Sequence, residues 1–213
     1  MKNNISPAIL EKWLTAWSLS RGLPTATKFK SGYKLDVGDE KQKTRYVFGE
    51  LNDDFLQLSE TINEAWVFLK VCASPNEVKN KIAERWVIQP QGYMMTCISP
   101  MANPNKSLPD GYKIEFDGNH SITVVKIVTK DGELACMGRL VIVDDLAVYD
   151  RIFTEEKYKR KGLATFLIRE LERIAMSNHV YINFLVATEQ GKLLYQSLGW
   201  KVCSLYTSVV IPF

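Results

Sequence analysis

The stretch YDRIFTEEKYKRKGLA, residues 149–164, constrains this 213-residue chain more than any other. Residues 149–154 alternate β-branched and aromatic side chains with charged ones, the pattern of a strand. From Gly162 the period changes: Ala164, Leu167, Ile168, Leu171, Ile174 and Ala175 fall on one helical face that runs to about residue 178. A strand therefore enters a helix through a loop carrying Lys157, Lys159, Arg160 and Lys161.

Such a junction suits a phosphate. The first turn of a helix leaves its N–H groups without internal partners, and the helix dipole adds partial positive charge there. Gly162 and Ala164 have almost no side chain, so an anion of pyrophosphate size can reach those amides closely. The same residues also read as a solvated basic turn ahead of an amphipathic helix.

Lys159-x-x-Gly162-x-Ala164 resembles the Gln/Arg-x-x-Gly-x-Gly/Ala loop of the GNAT superfamily of N-acetyltransferases. LVATEQGKLLYQSLGW, residues 185–200, resembles the next strand and helix of that fold, where a Tyr stands four residues before a Gly-aromatic pair. The resemblance covers residues 108–213. It implies an α/β (α+β) fold with a mixed, mostly antiparallel sheet flanked by helices.

Composition narrows the classes around this motif. The hydrophobic fraction of 46% and charged fraction of 24% are those of an ordinary globular protein and exclude disorder. Net charge is only +3, so the basic loop is a local feature, and no nucleic-acid partner is expected. Cys72, Cys97, Cys136 and Cys203 lie far apart within apolar segments, which favours buried reduced thiols. His120 and His179 have no ligand-like neighbours, so no metal is expected. The N-terminal residues show no signal-peptide pattern and no span approaches the ~20 apolar residues that cross a bilayer, so the expectation is a cytoplasmic protein without a membrane partner.

Ser6-Pro7 opens a first helix with the stripe Ile9, Leu10, Trp13, Leu14 and Trp17, ended by Arg21-Gly22. The two Trp are read as core. Strands at 33–37 and 45–50, a helix bearing Phe55, Leu58 and Ile62, and a buried strand at 65–73 follow. Ser74-Pro75-Asn76-Glu77 is a capping box starting a helix with Val78, Ile82 and Trp86, and residues 87–98 are mostly extended, broken at Pro90-Gln91-Gly92. Residues 100–111 hold three of the eight prolines and read as a linker.

Beyond it, strands at 112–116, 121–130 and 134–143 form an antiparallel meander with a hairpin at Lys130-Asp131-Gly132-Glu133. Residues 181–188 form a strand, Thr188 caps a helix through Leu198, and residues 200–212 supply a last strand or hairpin. The expected division is 1–99, a linker at 100–111, and 112–213. Arg45-Tyr46-Val47-Phe48 parallels Arg151-Ile152-Phe153-Thr154, each followed by helix, strand, helix and Trp. Residues 1–99 therefore read either as a degenerate GNAT-like half or as a chance α/β likeness. The usual family helices between the first two strands are missing here, and the first reading has residues 1–99 wall the acceptor site in their place.

The resemblance implies an acyltransferase that moves an acetyl group from acetyl-CoA to a primary amine of a small molecule or peptide, by direct attack in a ternary complex. It places the cofactor against Ile152, Phe153 and Thr154, the loop Lys159, Arg160, Lys161, Gly162, Leu163 and Ala164, and Thr188, which stands where many members have Asn. Tyr195 is the expected general acid for the departing thiolate, and Asp150 the candidate base. A non-catalytic acyl-CoA-sensing module is the alternative, and association as a homodimer stays open.

Overall fold

The computed structural model describes residues 5–102, 107–119 and 121–213. In chain order the elements are α1 (Pro7–Leu19), β1 (Thr27–Phe29), β2 (Gly32–Asp39), β3 (Gln42–Phe48), α2 (Asp53–Thr61), β4 (Val67–Val71), α3 (Pro75–Lys79), β5 (Val87–Ile88) and β6 (Gly92–Cys97). There follow β7 (Tyr112–Asn119), β8 (Ile122–Thr129), β9 (Leu134–Val143), β10 (Leu146–Thr154), α4 (Leu163–Ser177), β11 (Ile182–Ala187), α5 (Glu189–Ser197) and β12 (Lys201–Val210).

The strands form one sheet in the order β1-β2-β3-β4-β12-β6-β11-β10-β9-β8-β7, with β5 beside β12. Only β3–β4 and β10–β11 pair in parallel, because each pair is joined through a helix, α2 or α4, long enough for a crossover. The sheet is therefore mixed and mostly antiparallel, as expected.

Its two ends mirror each other. Outward from the central β12–β6 pair, β4 and β3 on one side correspond to β11 and β10 on the other, parallel pair for parallel pair. The central strands are exchanged: β12, last in the chain, pairs with β4, whereas β6 pairs with β11. Strand pairing, and not the linker alone, thus joins residues 1–99 to residues 112–213. Residues 103–106 of that linker, and His120, lie outside the described residues.

Because side chains alternate across a strand, the sheet has two apolar faces. One is covered by α1, with Leu10, Trp13, Leu14 and Trp17 over Leu35, Val47, Met94, Phe184 and Tyr206. On the other, α4 and the end of α5 lie over β8, β9 and β11, and α2 and α3 over β3 and β4. The cap at Ser6 and the capping box at Ser74 form as the sequence dictates.

Some elements differ from expectation. α3 stops at Lys79, so Ile82 and Trp86 lie in turns; Trp86 still reaches the core, its indole N–H donating to the Ser59 carbonyl at 2.9 Å. Trp66 has a left-handed φ of 64° and delays β4 to Val67. The extended run at 87–98 splits into β5 and β6, which both pair with β12, and β1 forms where no strand was expected. The C-terminal segment is one long strand with a bulge between Val202 and Ser204, not a hairpin. No helix among the described residues is long and apolar enough to cross a membrane.

Candidate active site

The parallel pair β10–β11 is in register only at Leu146–Val148 against Ile182–Phe184. Beyond it the strands part. β10 keeps its other neighbour, β9, but with a bulge: Asp150 faces Arg139 and Phe153 faces Met137, so Arg151 and Ile152 together oppose one residue. Arg151 accommodates the extra residue with φ 51°. The opposed residue is Gly138, where a Cβ would sit 2.7 Å from Leu167 and 2.9 Å from Ile152, so its lack of a side chain lets α4 close onto the bulge.

The backbone edges left free by this split belong to Ile152, Phe153 and Thr154 on one strand and the end of β11, next to Thr188, on the other. Thr154 donates its hydroxyl hydrogen to Cys136 Sγ at 3.2 Å. The Thr188 side chain accepts from the Gly191 amide at 3.2 Å as the cap of α5, so its oxygen is already engaged.

At the entrance to α4, Gly162 is the N-cap with φ 80°, and no side chain caps the helix. Nothing lies within 4 Å of where a Gly162 Cβ would be, and the first turn carries no acidic residue. The amides of Leu163 and Ala164 are thus open to an anion, although the Leu163 side chain itself is buried. The four cations divide: Lys157 is ion-paired with Glu133 and Lys159 with Glu156 at 2.5 Å, whereas Arg160 and Lys161 have no carboxylate partner among the described residues. Lys161 lies over the Tyr158 ring at 5.1 Å. These residues fit a pyrophosphate, with Arg160 and Lys161 as its free cations.

Tyr195 of α5 is buried against Trp200, ring centroids 5.7 Å apart. Burial pushes its phenol up, helped by the nearby Cys136 and Asp150, so it stays protonated at neutral pH.

Over the face covered by α1 lies a cavity of about 580 Å³. It opens at the split, where Tyr149, Asp150, Val186, Ala187 and Thr188 line it. Its other walls are Trp13, Trp17 and Arg21 from α1 and the segment after it, Arg45 and Lys70 from β3 and β4, and Tyr206 and Ser208 from β12. Trp13 and Trp17 are core residues, as expected, and line the cavity as well.

Asp150 does not stand free as a base would. It accepts from the Ser20 hydroxyl and from both terminal nitrogens of Arg21, one of them at 3.1 Å. Both partners come from the other half of the chain. With its oxygens so held, Asp150 fixes Arg21 at the cavity wall.

Arg21, Arg45, Lys70, Tyr206 and Ser208 were not anticipated. The one local signal was a lysine in the middle of an otherwise apolar strand, VFLKV. Burial pushes Cys72 up to about 12 and Cys136 and Cys203 to about 11, leaving little thiolate for nucleophilic chemistry. No cluster of three or more metal-ligating side chains occurs among the described residues.

Comparison with known proteins agrees with this geometry. The chain resembles the solved GCN5-related N-acetyltransferase from Kribbella flavida with a TM-score of 0.70 at 14% identity, over 99% of this chain and 97% of that one. A GCN5-related N-acetyltransferase-like protein from Streptococcus suis gives 0.61 at 12% identity over 92% of both chains. The GCN5-related N-acetyltransferase from Sphaerobacter thermophilus gives 0.59 at 11% identity over 84% and 76%. At these identities the likeness is one of fold. No curated protein sequence matches. Residues 93–200, just over half of the chain and reaching from β6 to the end of α5, match the profile of the acetyltransferase (GNAT) family, and the chain belongs to that family.

Proposed function

We propose that the protein transfers an acetyl group from acetyl-CoA to a primary amine seated in the cavity. The observation that carries the reading is the parting of β10 from β11, with the uncapped N-terminus of α4 following on from β10 and the cavity opening at the split on the α1 face. Leu163 and Ala164 amides, with Arg160 and Lys161, would hold the pyrophosphate, and the free edges of Ile152–Thr154 and of the end of β11 would pair with the pantetheine amides. Bound acetyl-CoA would supply the thioester carbonyl that a neutral amine attacks and the thiolate that departs.

The chain's own residues then have distinct tasks. Tyr195, protonated throughout the neutral range, donates a proton to the departing sulfur and is restored by the proton that the acylated amine releases to water. Trp13 and Trp17 wall the acceptor, and Asp150 holds Arg21 in place. The first half acts as the acceptor wall, and the mirrored parallel pairs β3–β4 and β10–β11 support reading it as a degenerate GNAT-like half. With the thiols held as thiols, transfer is direct, without a cysteine-bound intermediate.

Calorimetric titration with acetyl-CoA and with CoA lacking the 3′-phosphate tests the cofactor site. Micromolar-range binding, lost on neutralising Lys159, Arg160 and Lys161 together, is expected, followed by amine-dependent thiol release. No binding of either compound would overturn the reading.

A further inference from the structure

We propose that the acceptor is a small amine bearing a carboxylate, and that Arg45 and Lys70 receive that carboxylate in the cavity; this rests on the transfer reading above. The two cations stand on one face of the sheet. Lys70 is the register partner of Ser208 on β12, and Arg45 that of Phe68, two residues before Lys70, so all of these side chains point toward α1.

Both are buried, Arg45 to 7% exposure and Lys70 to 9%. Neither has a carboxylate partner among the described residues. The acidic residues of the cavity wall are already matched elsewhere: Asp150 by Arg21, and Glu189 by Lys192. Arg45 lies over the Trp17 ring at 3.7 Å, and its buried Nε has no acceptor among the described residues. Among the described residues Lys70 makes one side-chain hydrogen bond, to Ser208 Oγ at 2.8 Å, which leaves two N–H groups of its ammonium form unused there. The Tyr206 hydroxyl, on the same face, is also buried without a partner among the described residues.

A buried cation without a counter-charge is costly, and buried polar groups left without partners call for one, which an anion bound between Arg45 and Lys70 supplies. That anion is not the cofactor's pyrophosphate. That group's site is the N-terminus of α4, which packs on the opposite face of the sheet. A planar carboxylate matches the guanidinium fork of Arg45 and the point charge of Lys70 together. A cavity of about 580 Å³ has room for an amino acid with its amine directed to the split.

The test titrates the full chain, by tryptophan fluorescence, with the twenty L-amino acids, β-alanine and 4-aminobutyrate, each beside its own carboxamide, and measures thiol release from acetyl-CoA with the same panel. At least one acid is expected to bind and react with kcat/KM at least tenfold above that of its carboxamide. Arg45→Gln and Lys70→Gln should each reduce that preference below threefold while leaving the KM for acetyl-CoA unchanged, and Lys70→Arg should retain most of it. Should a Gln variant not fold, Arg45→Lys provides the reading: it is expected to keep the preference for charge with a raised acceptor KM. Carboxamides performing as well as carboxylates would overturn the inference while leaving acyl transfer in place. Carboxylate binding without any thiol release would instead overturn the transfer reading and keep the anion site.

Discussion

Arg21 and Asp150, 129 residues apart, meet as a two-pronged ion pair that ties the segment after α1 to β10 at the mouth of the cavity. Burial lowers the Arg21 pKa despite the attraction of Asp150, and Arg139 and Arg151 stand close by, so Asp150 is the one counter-charge this guanidinium meets among the described residues. Removing one member of a largely buried pair strands the other. Asp150→Asn is expected to destabilise the protein by about 2–4 kcal/mol, and Arg21→Ala by a similar amount. In a denaturation cycle the double variant should lose clearly less than the sum. Were Asp150 the catalytic base, Asp150→Asn would instead abolish turnover at little cost in stability, and the two substitutions would add.

Tyr195 is placed by α5 and by its contact with Trp200, and its hydroxyl makes no hydrogen bond among the described residues that a phenylalanine would lose. Tyr195→Phe should therefore fold normally and bind acetyl-CoA with unchanged affinity. Its kcat is expected to fall roughly 10²-fold or more, the range for loss of a general acid. Calorimetry and thiol release on one preparation separate the two effects. An unchanged kcat would remove Tyr195 from the chemistry.

Gly162 offers a clean separation of backbone strain from crowding. Its φ of 80° disfavours any side chain, yet open space surrounds the position of a Cβ. Gly162→Ala is expected to cost about 1 kcal/mol in denaturant unfolding, and to raise the Kd for acetyl-CoA by shifting the first turn of α4. Affinity for a free amino acid in the cavity should not change. A variant as stable as the parent would show that the left-handed turn is easily abandoned.

At Gly138 the problem is the reverse. Its φ is unexceptional, but Leu167, Ile152 and Leu171 lie 2.7, 2.9 and 3.3 Å from where a Cβ would be. Gly138→Val should push α4 from the bulge, with a loss of about 1–3 kcal/mol typical of overpacking, and should weaken acetyl-CoA binding because the bulge and the helix N-terminus move together. Stability unchanged in urea unfolding would contradict the close fit.

The parts of this molecule that were legible in sequence are those encoded locally. The loop from Lys157 to Ala164 announces itself by adjacent charges, a glycine and a change of period, and the hairpin at Lys130 to Glu133 by its Asp-Gly pair. The anion-facing wall was not legible, because it is assembled by strand pairing across the chain: Lys70 and Ser208 are 138 residues apart. Exchange of β6 and β12 cannot be read from either strand, since both are largely buried in mid-sheet and neither pattern specifies its neighbour. Trp86 was correctly read as apolar and wrongly read as helical, for α3 ends at its Asn80 cap after little more than one turn. The two Trp of α1 satisfied the core pattern and so hid their second role.

Lys70 links stability and binding through its proton. Burial holds its pKa well below the usual lysine value, Arg45 depresses it further, and around it stand Phe68, Tyr206 and Ser208, with Arg21 and Asp150 on the same cavity wall. In the unfolded chain the amine binds a proton below about pH 10.4, whereas the folded protein takes one up only at lower pH. Between those two values the unfolded state holds more protons, so stability should rise with pH across that window and level off above it. A bound carboxylate favours the ammonium form, so the affinity of the cavity for a carboxylate should fall as pH rises through the lowered value. Lys70→Met removes both effects. It is expected to flatten this part of the pH dependence in urea unfolding, to make the protein more stable at neutral pH, and to abolish carboxylate preference in the cavity. A Lys70→Met protein less stable than its parent at neutral pH would mean that the lysine is held there for the fold and not for a ligand.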